Sequence, residues 1–297
     1  MSAPAIIVAS INGLGLGKTP HTPVTPAEIA TEALACFDAG AAIIHNHVDL
    51  VNVPGDQAAA RYLEGWRPVL AQRPDALFYP TVNWDPTGAI AYDHLAPLAA
   101  SGLCRLGLND VGSVNVGEIR DGLPAGGRVY SNSYDQTAER FKICAQAGIG
   151  AAVQILEFNA IRTVVRWWKS GQLPRGCLLN FYFYPDPVGP GPHKGVYAMP
   201  PSKAMLAALL DTLGDCPLPW AFSIWQDDPF RHEAFLRRAL ELGGHLNVGL
   251  EPYGGAGERH PTNLQLIGQA AALCRDVGRP VATCREAADL LDLPRKA

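Results

Sequence analysis

"TPAEIATEALACFDAGAAIIHNHVDL" occupies Thr25–Leu50 and holds a helix and a strand in succession. Thr25 is a candidate N-cap, Pro26 fills the first turn, Glu28 stands three residues after Thr25 as a capping box requires, and Gly40 supplies the stop. The apolar run Ala41–Ile44 then ends in His45-Asn46-His47. A strand sends alternate side chains to one face, so His45 and His47 are expected to project together at its carboxyl end.

The same helix-then-strand rhythm continues in both directions. Eight runs read as strands: Ile6–Ile11, Ala42–His47, Leu77–Val82, Cys104–Leu108, Ala151–Leu156, Leu178–Tyr184, Pro219–Ile224 and His245–Glu251. Their near-continuous apolar character points to strands covered on both faces, as in a parallel sheet. Helices are expected over "DQTAERFKICAQAG", with Asp135 as cap and Gly148 as stop, over "DPFRHEAFLRRALELGG" and over "HPTNLQLIGQAAALCRDVG". "RVYSNS" (residues 128–133) reads as a further short strand or a loop, and the segment after Thr283 as a terminal helix. Eight βα units without a break in composition predict one α/β domain over residues 1–297, a (β/α)8 TIM barrel with an extra C-terminal helix. The rival, an open doubly wound sheet, wants a glycine fingerprint after the first strand. "NGLGLGK" (Asn12–Lys18) has glycines at 13, 15 and 17, but GxGxxG needs one at Lys18, and a Walker A loop needs one at Asn12.

Composition narrows the function. The chain is 48% hydrophobic and 18% charged with a net charge of -4, and no Lys/Arg cluster is present. A sizeable core is expected, and nucleic acid is not an expected partner. Seven scattered cysteines without CxxC fit reduced thiols in a cytoplasmic protein. The N-terminal "MSAPAIIVAS" lacks the basic n-region of a signal peptide, and no apolar stretch reaches the roughly 20 residues of a membrane helix.

Two imidazoles on one face at the carboxyl end of a barrel strand stand where barrel active sites form, and they can share one divalent ion. Glu251, in the strand-eight stretch "HLNVGLEPYGG", offers a third ligand. Strands eight and two are separated only by strand one, so the three side chains can meet over the barrel mouth. Two histidines and a carboxylate leave coordination positions open for substrate, and zinc is the expected ion.

"PVTPAEIATEALACFDAGAAIIHNHV", "LGLNDVGSVN", "GGHLNVGLE" and "GRPVATCREAADLL" together resemble the β-keto acid cleavage enzyme family, which includes the 3-keto-5-aminohexanoate cleavage enzymes. The resemblance runs over most of the chain. It implies a zinc-dependent (β/α)8 barrel with ligands at His45, His47 and Glu251. It also implies transfer of a carbon fragment from a β-keto acid to acetyl-CoA, giving acetoacetate and a new CoA ester, in a homo-oligomer that can be a tetramer. The chemistry suits the site, because cleavage builds negative charge on an enolate oxygen that a cation stabilises.

The chain departs from the family in strand eight, where V-R-V-G-L-E-D is expected and "LNVGLEP" stands. Asn247 replaces an arginine and Pro252 an acid that the family uses for substrate anchoring and proton handling. "SIWQDDPF" (Ser223–Phe230) replaces a glycine-rich stretch. Candidate substitutes are Glu157, at the end of strand five, as a base or as a partner orienting a metal-bound histidine, and Asp227, as an acid from a new direction. Asp228-Pro229 reads instead as a helix cap. Asn109 and Asn83, just past strands four and three, can donate to a substrate oxygen or simply form turns. Ser113, Asn247 and Tyr253 complete the candidate substrate contacts. Loop six, "YPDPVGPGPHKGVYAMPP", suits a lid or an oligomer contact, with His193 and Lys194 either meeting CoA phosphates or forming a solvated tip. The Trp167–Trp168 pair is expected to pack between barrels or against the C-terminal helix. Two other readings stay open: a CoA-independent metal hydrolase, aldolase or isomerase on a carbonyl substrate, and an inactive metal-binding homologue.

Overall fold

The computed structural model describes residues 3–13, 19–87, 89–186, 198–255 and 259–294, with the backbone alone for 193–196. Leu14–Lys18 of the glycine-rich stretch and residues 187–192 and 197 of loop six lie outside the described residues.

In chain order the elements are β1 (Ile7–Ser10), α1 (Pro26–Ala39), β2 (Ile43–Asn46), α2 (Gly55–Gln72), β3 (Phe78–Pro80), β4 (Asn83–Trp84), β5 (Ile90–Ala91), α3 (Leu95–Ala100), β6 (Leu106–Val111), β7 (Val114–Arg120), β8 (Leu123–Tyr130), α4 (Tyr134–Gln146), β9 (Gly150–Ile155) and α5 (Phe158–Lys169). There follow β10 (Cys177–Phe183), β11 (His193–Val196), α6 (Lys203–Leu213), β12 (Trp220–Ile224), a 3-10 turn (Pro229–His232), α7 (Glu233–Glu241), β13 (His245–Val248), α8 (Leu250–Tyr253), α9 (Asn263–Asp276) and α10 (Cys284–Leu290).

Eight parallel strands pair in the order β3-β2-β1-β13-β12-β10-β9-β6, so the sheet curls until its two edges, β3 and β6, lie against each other without pairing. This is a nearly closed (β/α)8 barrel. Each strand the sequence predicts is present. The helix starts follow local chemistry. Thr25 and Glu28 form the capping box of α1, and Gly40 closes it at φ 113, a left-handed conformation that favours glycine. The cap of α4 is Ser133 in a box with Gln136, not Asp135, which sits inside the first turn. Asp228 caps the 3-10 turn through Phe230 N–H, as its proline neighbour suggested.

The barrel interior divides into two layers. Its lower part is apolar: Ile6, Val8, Ile43, Leu77, Leu106 and Leu178 pack with Ala287, Leu291 and Leu293 of the C-terminal segment, which closes the amino-terminal end of the barrel. The outer core lies between strands and helices. There Trp66 stacks on Phe78 with ring centroids 5.2 Å apart and donates its indole N–H to Asn46 Oδ1. Trp167 packs edge-on against Phe141 of α4, not against the terminal helix.

One addition was not anticipated. Val114–Tyr130, including part of "RVYSNS", forms the antiparallel hairpin β7–β8 above the barrel, and β11 of loop six pairs with β7. His193 and Lys194 therefore belong to a strand rather than to a free loop tip.

His245 faces the barrel interior and is buried, with Nδ1 accepting the Ile6 N–H. Burial, and to a lesser degree the Arg279 charge, lowers its pKa from the ordinary 6.5 to about 3. Below pH 6.5 the unfolded chain therefore takes up a proton that the folded chain refuses, so this residue makes stability fall with pH until about 3 is reached. At pH 5 the loss is about 2 kcal/mol relative to pH 7.5. We predict that urea unfolding shows this extra pH dependence in the wild type and not in His245→Asn, which keeps an acceptor for Ile6. Equal pH dependence in the two proteins contradicts a neutral buried imidazole.

Candidate active site

Strand phase builds the site. In β2, His45 points into the barrel and Asn46 outward to Trp66, and His47 turns back toward the barrel mouth. The backbone N–H of His47 donates to Asn12 Oδ1 at 2.7 Å, and Asn12 Nδ2 donates to Pro23 O, which ties the end of β2 to the segment after β1. His45 Nδ1 lies 3.2 Å from the Tyr79 carbonyl, and its ring stacks on that of Tyr79 at 4.4 Å. A proton on Nδ1 donated to that carbonyl leaves Nε2 as a lone-pair donor toward the pocket.

Glu251 arrives from the other side of β1. It lies beyond the end of β13, on the short helical turn α8 rather than on the strand itself. The turn depends on Gly249, whose φ of 146 and ψ of -176 are open essentially to glycine alone, and a Cβ there would stand 2.2 Å from the Ser10 carbonyl oxygen. Leu250 N–H is held by Asn263 Oδ1, and Gly13 packs so closely that a Cβ would meet Glu251 Cγ at 2.7 Å. The result is a convergence of three donors. Glu251 Oε1 lies 2.7 Å from His47 Nε2, and Oε2 lies 3.1 Å from His45 Nε2. The three ligand atoms are all within 4.8 Å of one another.

The donor set fits a divalent cation. Two imidazole nitrogens and one carboxylate are a familiar three-ligand set with room for substrate. Glu251 is 5% exposed, and its Oε2 accepts no hydrogen bond of good geometry despite its nearness to His45. Burial raises the Glu251 carboxyl, and positive charge on the two histidines outweighs it and brings the pKa down to about 2, a role that a bound cation would take where the rings are neutral. The group is thus an anion aimed at a point where positive charge belongs.

The triad opens into a pocket of about 620 Å³. Leu156, Tyr182, Tyr184 and Trp225 build an apolar wall, with Val114 of the hairpin over it. Arg128 stacks over Trp84 at 4.4 Å at the exposed rim. Asp110 and Gln154 supply the deep polar surface.

The other sequence candidates have partners of their own. Asn109 points away from the pocket, donating to Thr137 O and accepting from Arg140 Nε. Asn83 donates to Val53 O and Asp93. Ser113 bonds Asn132, and Glu157 caps α5 through Asn159 N–H; both line a separate surface groove. Asp227 is held by His232 and by the Asp228 N–H. Asn247 accepts the Ser10 hydroxyl inside the barrel, and Tyr253 is buried, donating to Arg259 O. Period two explains the placement of Asn109 and Glu157. Leu106 and Leu108 face inward, so Asp110 does too and Asn109 does not, and Ala152 and Gln154 set a phase that excludes Glu157.

A family model described as beta-keto acid cleavage enzyme matches residues 4–293, and the chain belongs to that family, a class of enzymes that transfer acyl and carbon fragments. It is 25% identical over 296 residues to the 3-keto-5-aminohexanoate cleavage enzyme of Acetoanaerobium sticklandii, with 98% of each chain covered. It is 28% identical over 311 residues to the 3-oxoadipate:acetyl-CoA acetyltransferase of Cupriavidus necator, covering 99% of this chain and 96% of that one. Among solved structures the fold resembles apo ObcA, with a TM-score of 0.65 at 16% identity over 93% of this chain and 66% of that one.

Gly249→Ala is expected to lower unfolding stability by on the order of 1–3 kcal/mol, because alanine must abandon this backbone region. It is also expected to weaken divalent-ion binding by displacing Glu251. Denaturant unfolding and ion titration on one preparation check both, and unchanged values contradict the role assigned to the turn.

Proposed function

We propose that this chain is a zinc-dependent β-keto acid cleavage enzyme that uses acetyl-CoA, converting R–CO–CH2–COO⁻ into acetoacetate and R–CO–CoA. The observation that carries the reading is the meeting of His45, His47 and Glu251 at the open end of a barrel, beside a pocket of a size for a small keto acid and the acetyl end of acetyl-CoA. A cation bound there supplies Lewis acidity to the keto and carboxylate oxygens and offsets the charge that develops on cleavage. Relatives that span nearly the whole chain carry names that include acetyl-CoA as a substrate, among them the transferase acting on 3-dehydrocarnitine from Rhizobium meliloti.

The chain's own residues do the remaining work. The Tyr79 carbonyl fixes the tautomer of His45, and Asn12 fixes the approach of His47. The aromatic wall excludes water from the acyl end of the pocket, and its composition favours an uncharged, apolar R group. Arg128 at the rim offers a positive charge to the CoA phosphates. Asn247 and Pro252 take no charged part: the first bonds Ser10, and the second gives its carbonyl to Gln226 N–H. That loss favours the second reading, a CoA-independent hydrolase, aldolase or isomerase on the same metal. In the first reading the enzyme works as a homo-oligomer in the cytoplasm, where its seven buried thiols stay reduced. Among the described residues no helix is long and apolar enough to cross a membrane.

The purified protein is expected to hold one zinc per chain and to form acetoacetate from medium-chain 3-oxo acids only when acetyl-CoA is present. His45→Ala and Glu251→Ala are expected to lose both the zinc and at least about 10³-fold in kcat, the scale of a lost electrostatic anchor. Equal zinc in all three proteins contradicts the site, and 3-oxo acid turnover without acetyl-CoA selects the second reading.

A further inference from the structure

We propose that Asp110 is the proton-transfer residue of this enzyme, so that the acid absent from position 252 is replaced by one on the opposite side of the barrel. The inference rests on the keto acid cleavage reading above. Among the described residues, three carboxylates line the pocket: Glu251, Glu118 and Asp110. Glu251 is committed to the two histidines. Glu118 sits on the hairpin rim in an ion pair with exposed Arg120. Asp110 alone is both buried, at 5% exposure, and directed into the pocket without a cationic side chain bonded to it.

Its surroundings look built for proton transfer. Tyr92 and Tyr130 both donate to Oδ2, Tyr92 at 2.9 Å, so the carboxylate is fixed by one oxygen. Oδ1 accepts no hydrogen bond among the described residues and stays available to a substrate. The Arg140 guanidinium lies 3.8 Å from the Tyr92 ring centroid and donates to the Asp110 main-chain oxygen, with no carboxylate partner among the described residues. Burial raises the Asp110 pKa, opposed by the Tyr130 bond, the Arg140 charge, the Tyr92 bond and, more weakly, His45. A carboxylate with a raised pKa is the usual form of a general base. The buried phenols of Tyr182 and Tyr184 face the same space. Beside Asp110, in register on β9, Gln154 is 2% exposed, and neither atom of its amide makes a hydrogen bond of good geometry, although the Tyr79 hydroxyl is near. A buried, unpartnered amide lining a pocket points to a ligand that completes it.

The step balances as follows. Asp110 Oδ1 takes a proton from C2 of R–CO–CH2–COO⁻, and the C–H electron pair becomes the enolate. C2 attacks the thioester carbon of acetyl-CoA and expels CoA thiolate. The thiolate adds to the original keto carbon, the C2–C3 bond breaks to give R–CO–CoA, and the acetoacetate enolate recovers the proton from Asp110. Gln154 donates its amide N–H to a substrate oxygen.

The test uses the zinc-loaded full chain and a 3-oxo acid that the wild type turns over. Deuterium wash-in at C2 is read by NMR without acetyl-CoA, next to steady-state turnover with it. Asp110→Asn is expected to lose at least about 10²-fold in both exchange and kcat, with KM and zinc content within about twofold of wild type. Formate is expected to restore part of both in Asp110→Gly. Tyr130→Phe removes one bond to the carboxylate and is expected to shift the acid limb of kcat to higher pH. Wild-type exchange in Asp110→Asn, no formate rescue, or an unmoved acid limb in Tyr130→Phe overturns the proposal alone. A wild type that binds zinc yet shows neither exchange nor acetyl-CoA-dependent turnover overturns it together with the reading beneath it.

Discussion

A carboxylate buried against two imidazoles governs this structure. An unpaired charge withdrawn from water costs several kcal/mol, and neutral histidines do not offset it. Glu251 nevertheless sits deep at the barrel mouth, with one oxygen short of any well-formed hydrogen bond. Either a histidine carries a proton or a cation completes the set. The second solution also explains the fixed orientation of His45 and the open space beside the triad.

The rest of the fold serves that convergence. The strand order β2-β1-β13 places the two histidines and the glutamate on either side of one strand. Gly249 lets the chain turn sharply enough after β13 to lay Glu251 over the mouth, and Gly13 leaves it room. Below, the apolar interior and the C-terminal segment make the floor, in which His245 is held neutral against Ile6 N–H, and the polar groups that line the pocket gather at the mouth. Function is confined to one end of the barrel for this reason, as in other barrels.

Much of this was legible in the residues. Eight apolar runs and their helix caps reveal the barrel, because capping boxes and buried parallel strands leave local marks. His45 and His47 announce themselves by period two, and Glu251 by its place after the last strand. What stayed hidden was long-range or depended on phase. Strand four continues past Leu108 to Val111, and reading it short placed Asn109 in the pocket instead of Asp110. Glu157 and Ser113 follow strands closely in sequence, but α5 and the hairpin turn them toward a different groove. The hairpin itself has glycines at 117, 126 and 127 and mostly exposed side chains, so it lacks the alternation that marks a half-buried strand.

If Asp110 moves the proton as proposed, the two departures that the resemblance implies at 247 and 252 belong to one change. On the proposed function, the turn after strand eight keeps the carboxylate of the His-His-Glu cluster without charged neighbours at 247 and 252, while strand four presents a buried acid backed by a buried arginine. The metal triad is the premise on which all of this stands. Anomalous diffraction at the zinc edge from zinc-soaked crystals tests it most directly. The account predicts one strong peak at about 2.0–2.2 Å from His45 Nε2, His47 Nε2 and a Glu251 oxygen. A peak elsewhere, or none at saturating zinc, would contradict it.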